Sequence, residues 1–269
     1  MQAAILGDGA LGSAIGQALR RRGDDALTLG RPARAGRHDP ADLAGSTVVF
    51  DASRGDAVAT NVQTALAAGC RRLVVATTGW DDDRPRVDRA LRDAGACAVA
   101  AANLSLGAAL FGRLVEAATE LFGPVVDFEP YVVEWHRRDK RDRPSGTALD
   151  LAARIVARHP RVQRLPTAGD AGARTSGDAR GATGGPRPVD ELEIVSIRAG
   201  ASPGSHLVGF DAAGETLELR LTARDRSAYA TGALAAADWL LRAPRTSGLH
   251  PIDAVIDELL ATRPLAATA

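Results

Sequence analysis

The chain has 269 residues, enough for one large domain or two modest ones with buried cores. Its 33 basic residues balance 33 acidic ones, so the zero formal charge removes any whole-molecule electrostatic case for nucleic acid or an anionic membrane as partner. Apolar residues at 45% and charged residues at 25% fit a folded domain, and Lys140 is the single lysine among the 33 cations.

The start of the chain, Met1 followed by an apolar run with no basic region or small-residue cleavage site, predicts no signal peptide and a cytoplasmic protein. Short apolar runs at 2–6, 26–29, 47–50, 73–76 and 98–101 predict strands. Amphipathic patterns such as 11–23 and 55–69 lie between several of them and predict helices, so the alternation reads as βαβ units around a parallel sheet. Cys70 and Cys97 open apolar runs and are expected as small buried residues, not as a disulfide framework. The most apolar stretch, 96–112, is interrupted by Asn103, Ser105 and Gly107, and is expected in the core rather than in a membrane. After Gly107 the pattern changes to a helix at 108–123, a long strand at 124–136, a helix at 147–159 and strands at 189–200, 205–214 and 215–224. The signals there are mostly antiparallel. Helices at 231–243 and 251–263 close the chain, and the aperiodic segment 165–188 reads as a functional lid or as mobile coil. The expected class is α/β: a Rossmann-like dinucleotide-binding domain (1–106 plus 225–269) and a second α+β domain for substrate binding and oligomerisation (107–224) on a mixed, largely antiparallel sheet.

The first turn carries chemistry. Gly7-Asp8-Gly9-Ala10-Leu11-Gly12 follows a strand and opens a helix, the arrangement in which glycines allow a tight turn and a pyrophosphate sits on the helix N-terminus. The acidic residue expected about 20 positions later for the ribose hydroxyls of NAD is missing. Gly30 stands there instead, followed by Arg31, Arg34 and Arg37, which could take a 2′-phosphate and so favour NADPH, with NADH the alternative.

The second constellation runs from Glu134 to Ala148. Strand alternation puts Val132, Glu134 and His136 on one face, and the chain then turns through a charged loop holding Lys140 into a helix start, Pro144-Ser145-Gly146-Thr147, where Ser145 or Thr147 can cap. Such an N-terminus with cations beside it suits a carboxylate; a capped helix with a solvated charge run is the plainer reading. A lone lysine in an arginine-only background points to work specific to an ammonium, with chance survival as the alternative.

The spacing Glu134-x-His136-x-x-x-Lys140-x-Asp142-x-Pro144-Ser145-Gly146-Thr147-Ala148 resembles the signature of the 4-hydroxy-tetrahydrodipicolinate reductase family, also called dihydrodipicolinate reductase. Ala76-Thr77-Thr78-Gly79 resembles its GTTG, Ala102-Asn103-Leu104-Ser105-Leu106-Gly107 its ANFSxG, and Arg198-Ala199-Gly200 with Gly204-Ser205-His206 its RxG…GxH strand pair. The resemblance implies that His136 is the general acid and that Lys140 assists it and binds substrate. It further implies that Ser145, Gly146 and Thr147 hold a substrate carboxylate, with Thr78 a second contact at the domain cleft. Gly7 to Gly12, Arg31, the 76–79 segment and Ala102, Asn103 and Leu104 would form the cofactor site. A small anionic dicarboxylate as substrate and a homotetramer are implied in the same way. The chain departs from the family in five respects: Arg137 replaces a second histidine, where it would contact substrate as a cation; the glycine loop is one residue shorter; that loop lacks the arginine often found there as a phosphate contact; Ala76 replaces a glycine; and Ser205 replaces a glutamate.

His206 is expected as a structural or interface histidine, and His38, His159 and His250 as polar-loop residues. No pair has metal-ligand spacing, so no metal is expected. Trp80 is expected at the nicotinamide pocket or in the core, and Trp135 and Trp239 in packing. A paralogous reductase of another carboxylated cyclic imine and a non-catalytic NADPH-binding sensor remain as alternatives, the latter disfavoured by the retained Lys140.

Overall fold

Strand β1 (Gln2–Leu6) is buried on both sides after its first residue. Ala3 and Ile5 join one apolar cluster, Ala4 and Leu6 another, as a central parallel strand covered by helices on both faces requires. β2 (Asp25–Leu29), β3 (Val48–Asp51), β4 (Arg72–Val75), β5 (Cys97–Ala100) and β10 (Gly248–His250) complete an all-parallel sheet in the order β10-β5-β4-β3-β1-β2. The computed structural model describes residues 1–32, 37–165 and 188–261. The chain divides into two compact units, Met1–Ala109 with the chain from Arg226 onward, and Leu110–Asp225.

In the first unit, helix α1 (Ala10–Arg22) ends at Gly23, whose left-handed backbone (φ 87°) returns its N–H to Arg20, with three arginines in the last turn facing the negative helix end. α6 (Ser227–Arg242) and α7 (Ile252–Ala261) pack with α1 on one face of the sheet. α2 (Val58–Ala67) and α3 (Arg84–Asp93) cover the other. Cys70 and Cys97 are buried free thiols, and Trp80 is buried in the second cluster. The sheet order reverses direction at β1, which pairs with β2 on one side and β3 on the other, so a crevice opens at their carboxyl ends.

α4 (Leu106–Phe122) carries the chain across the boundary at Leu110, and in the second unit β6 (Glu129–His136), α5 (Gly146–Arg158), β7 (Glu193–Arg198), β8 (Ser205–Ala212) and β9 (Glu215–Thr222) follow in that order. Their sheet runs β7-β6-β8-β9; β6 and β7 are parallel, the other two pairs antiparallel. Val132, Ile194, Val208 and Phe210 face inward with Leu151 and Ile155 of α5.

The structure departs from expectation at several elements. The long strand begins at Glu129, not at 124, because two turns follow α4 and the Arg161 guanidinium takes the carbonyls of Val125, Val126 and Phe128. α3, whose buried residues are only Val87 and Leu91, and the three-residue β10 lie outside the predicted elements. Most of the aperiodic segment, 166–187, lies outside the described residues, as does Arg34.

Candidate active site

The glycine turn of the first unit is built for close approach. Gly7 has φ 114° and donates to the Leu29 carbonyl at 2.8 Å, and a Cβ there would meet the Ala52 carbonyl oxygen at 2.4 Å. A Cβ on Gly12 would come 1.9 Å from the Gly7 carbonyl oxygen, whereas one on Gly9 would meet nothing within 4 Å. The three positions therefore serve turn, open surface and helix packing, in the order a dinucleotide turn needs. Gly9 caps α1 with no side-chain acceptor and no acid stands in the first turn, so the N–H groups there are open to an anion.

Two adjoining pockets of about 330 and 570 Å³ flank this turn. Gly9, Ala10, Leu11, Ala76, Thr77, Thr78, Ala102 and Leu104 line the first, and Gly7, Asp8, Gly9 and Arg31 the second. Gly12, Gly79 and Asn103 are not lining residues; Asn103 instead accepts from the Ser105 N–H at 2.9 Å, at the start of α4. Ser53, Arg226 and Tyr229 line the first pocket without having been predicted. Ser53 belongs to a buried network at the end of β3. Its N–H and hydroxyl, together with Thr77 Oγ1 and Asn61 Nδ2, donate to the 2%-exposed Asp51 carboxylate at 2.6–3.0 Å. Trp80 supports the same segment from below by donating to the Thr77 carbonyl, which makes it a core residue.

The polar centre of the second unit follows from strand register. Glu134 stands opposite Ser196 on β7 and His206 on β8, and His136 stands opposite Arg198. All five share the inner face. Glu134 is fully buried, and its Oε1 accepts from Ser196 Oγ at 2.6 Å, Arg198 at 2.7 Å and the Ser145 N–H at 3.0 Å. Its Oε2 lies 3.1 Å from His136 Nε2 and 3.8 Å from His206 Nε2. Burial works to raise the Glu134 pKa, but the bonds from His136, Ser145, Ser196 and Arg198 outweigh it and hold the carboxyl well below the usual range. His206 goes the other way. Burial, reinforced by repulsion from His136, lowers its pKa to about 4, against the pull of Glu134, so it is neutral near pH 7.

Ser145 is the N-cap of α5: its Oγ accepts from Ala148 N–H at 3.3 Å and lies 3.2 Å from His206 Nε2. Gly146 is exposed and Thr147 half-buried in the first turn. The β6–α5 loop is anchored by Arg198, which donates to the Asp142 carbonyl at 2.5 Å. Lys140 reaches both Asp142 carboxylate oxygens at 2.7 Å, and although burial opposes it, this ammonium holds the Asp142 carboxyl below its ordinary range. Arg137 is half-exposed and paired with Asp139 at 2.8 Å.

Two histidine expectations and one tryptophan expectation change. His206 is buried, its ring centroid 5.1 Å from that of His136, because antiparallel register brings together residues 70 positions apart. His159 is a buried C-cap accepting two N–H bonds at its Nδ1, and His250 lies in β10. Trp135 faces outward, 46% exposed, with its indole N–H on the Ala199 carbonyl. Among the described residues, Glu134, His136 and His206 are the one group with metal-ligand proximity, which sequence spacing concealed. The Arg198 guanidinium already neutralises the carboxylate, so the set is suited to holding and passing a proton.

The family model described as dihydrodipicolinate reductase, C-terminus, matches residues 107–256. The 4-hydroxy-tetrahydrodipicolinate reductase of Wolinella succinogenes is 38% identical over 212 residues, 78% of this chain and 76% of that protein. The enzyme of the same name from Myxococcus xanthus is 35% identical over 217 residues, covering 80% and 73%. Among solved structures, dipicolinate-bound dihydrodipicolinate reductase from Paenisporosarcina sp. TG-14 superposes with a TM-score of 0.70 at 19% identity, covering 93% of this chain and 97% of that one. An amine dehydrogenase from Mycobacterium smegmatis shares the fold more distantly, with a TM-score of 0.53 at 13% identity over 94% and 95% of the two chains. Sequence and fold agree, and the chain belongs to the 4-hydroxy-tetrahydrodipicolinate reductase family.

Proposed function

We propose that the protein reduces 4-hydroxy-tetrahydrodipicolinate, a cyclic dicarboxylate, to tetrahydrodipicolinate with a reduced nicotinamide dinucleotide, releasing water. The observation that carries this reading is the buried Glu134–His136–His206–Arg198 cluster beside the Ser145-capped N-terminus of α5 and the single lysine.

The residues of the glycine turn and the 76–78 segment fit the dinucleotide: Gly9 leaves room for the pyrophosphate on α1, and the network around Asp51 fixes Ser53 and Thr77 at the pocket wall. When bound, the reduced nicotinamide supplies the hydride. The chain's own residues manage charge and protons. The helix start Ser145-Gly146-Thr147 and Lys140 hold a substrate carboxylate, with Arg137 as a further contact. Once water has left the ring, hydride arriving at its C4 pushes an electron pair toward C3. His136 gives up its proton there, and Glu134, fixed by three donors, orients the imidazole for that transfer. Neutral His206 keeps a second positive charge out of the buried centre.

Arg31 at the second pocket favours NADPH over NADH. The outer face of the second sheet, with Trp135 46%, Val195 43% and Ile197 40% exposed, supports assembly into a homotetramer through that sheet. The test is to generate the substrate in place from pyruvate and aspartate semialdehyde with the upstream synthase, then to follow nicotinamide absorbance. Rapid substrate-dependent oxidation is expected; no oxidation by a protein that still binds dinucleotide overturns the reading.

A further inference from the structure

The carboxylate missing after β2 is replaced from another part of the fold. Gly30 occupies the position where an acid would read the adenosine ribose, and the space above it holds Asp8: a Cβ on Gly30 would lie 2.7 Å from Asp8 Oδ2 and 3.2 Å from its Cγ. Asp8 sits in the glycine turn, between Gly7 on the β2 side and Gly9 on the open side. Its carbonyl accepts from Ser13 Oγ at 3.1 Å, which fixes the backbone from which the carboxylate projects toward the end of β2. The pocket there is also lined by Gly30, Arg31 and Arg54, and the Arg54 guanidinium is engaged by Asp56 at 2.8 Å.

We propose that Asp8 reads the adenosine ribose in place of the absent β2 acid, and that its opposition to Arg31 sets the balance between NADH and NADPH. The inference rests on the reading of this pocket as the dinucleotide site. The physical argument concerns one charge facing two ligands. A carboxylate accepts hydrogen bonds from the free 2′- and 3′-hydroxyls of NADH, and the same carboxylate repels the nearly doubly charged 2′-phosphate of NADPH. Arg31 acts in the reverse sense. Two opposed charges at one subsite leave both cofactors usable. Gly30 is part of the device, since any side chain there would push the Asp8 carboxylate aside.

The test is calorimetric titration of NADH and NADPH into the wild type, Asp8→Asn, Gly30→Ala, the double variant and Arg31→Ala, with no turnover involved. Asp8→Asn is nearly isosteric at an exposed site, and a ratio of two affinities does not depend on the fraction of protein folded. The ratio Kd(NADH)/Kd(NADPH) is expected to rise at least about tenfold in Asp8→Asn, equivalent to about 1.4 kcal/mol, and to fall in Arg31→Ala. Gly30→Ala should raise the ratio in the wild-type background and leave it unchanged in the Asp8→Asn background. If Asp8→Asn alters both affinities by the same factor, or neither, the proposal is overturned while the pocket reading stands. Wild-type protein that binds neither dinucleotide overturns the pocket reading, and the proposal with it.

Discussion

At the residue scale, Glu134 is a buried carboxylate whose two oxygens face different groups. One is saturated by Ser145, Ser196 and Arg198; the other faces only the two imidazoles. In the proposed mechanism, that division makes the side chain a rigid support for a ring that gains and loses a proton. His136→Ala and Lys140→Ala should each lower kcat/KM by at least about a hundredfold while leaving dinucleotide affinity unchanged, as stopped-flow rates and titration would show. Near-wild-type rates in both variants would remove the proton-transfer assignment. His206 gives a second prediction. Its pKa is 6.5 unfolded and about 4 folded, so between those values the unfolded chain binds more protons and stability falls as the pH falls. The full loss is about 3 kcal/mol across that window, and urea unfolding at pH 7, 6 and 5 should show a slope that His206→Asn flattens. His136, Lys140 and Ser145 were legible in the sequence because they lie within ten residues on one strand, loop and helix start. Arg198 and His206 were not, since their places depend on which strands flank β6. The signal available was Glu134 two residues before His136, a spacing that puts a carboxylate and an imidazole on one strand face.

At the element scale, the β8 edge of the site depends on Gly204. Its φ is 147°, and a Cβ there would stand 2.9 Å from His136 Cε1, so β8 begins where the backbone passes directly over the imidazole. Gly204→Ala carries backbone strain of about 1–3 kcal/mol and displaces the ring. We expect kcat to fall at least about tenfold with dinucleotide affinity intact, read from paired kinetics and titration; unchanged kcat would show that the ring tolerates the shift. The same elements show what sequence patterning can reach. β1, β3, β4 and β5 were legible as apolar runs, because strands buried on both faces carry no polar alternation to blur them. β6 was read too long, because Val125 and Val126 look like strand residues while their carbonyls are spent on Arg161. α3 is so polar that two buried residues are all it offers as a pattern.

At the scale of the whole molecule, the second sheet inverts the usual arrangement. Its inner face holds Glu134 and His136 of β6 and His206 of β8, while Trp135 of β6 and Val195 and Ile197 of β7 look outward. Trp135 was read as a packing residue, and it stands exposed beside Ile197, an apolar patch that the proposed assembly would cover. Light scattering should give a tetramer for the wild type and smaller species for Trp135→Glu; a wild-type monomer at micromolar concentration would refute the assembly. Lys140 has a consequence of a different kind. Within these 269 residues the arginine-rich composition leaves a single lysine side chain. Reductive methylation with ¹³C-formaldehyde should therefore place one side-chain dimethylamine in this sequence, a reporter at the candidate site itself. The composition makes the protein its own selectively labelled sample: an anionic ligand that displaces Asp142 from the ammonium should move that signal.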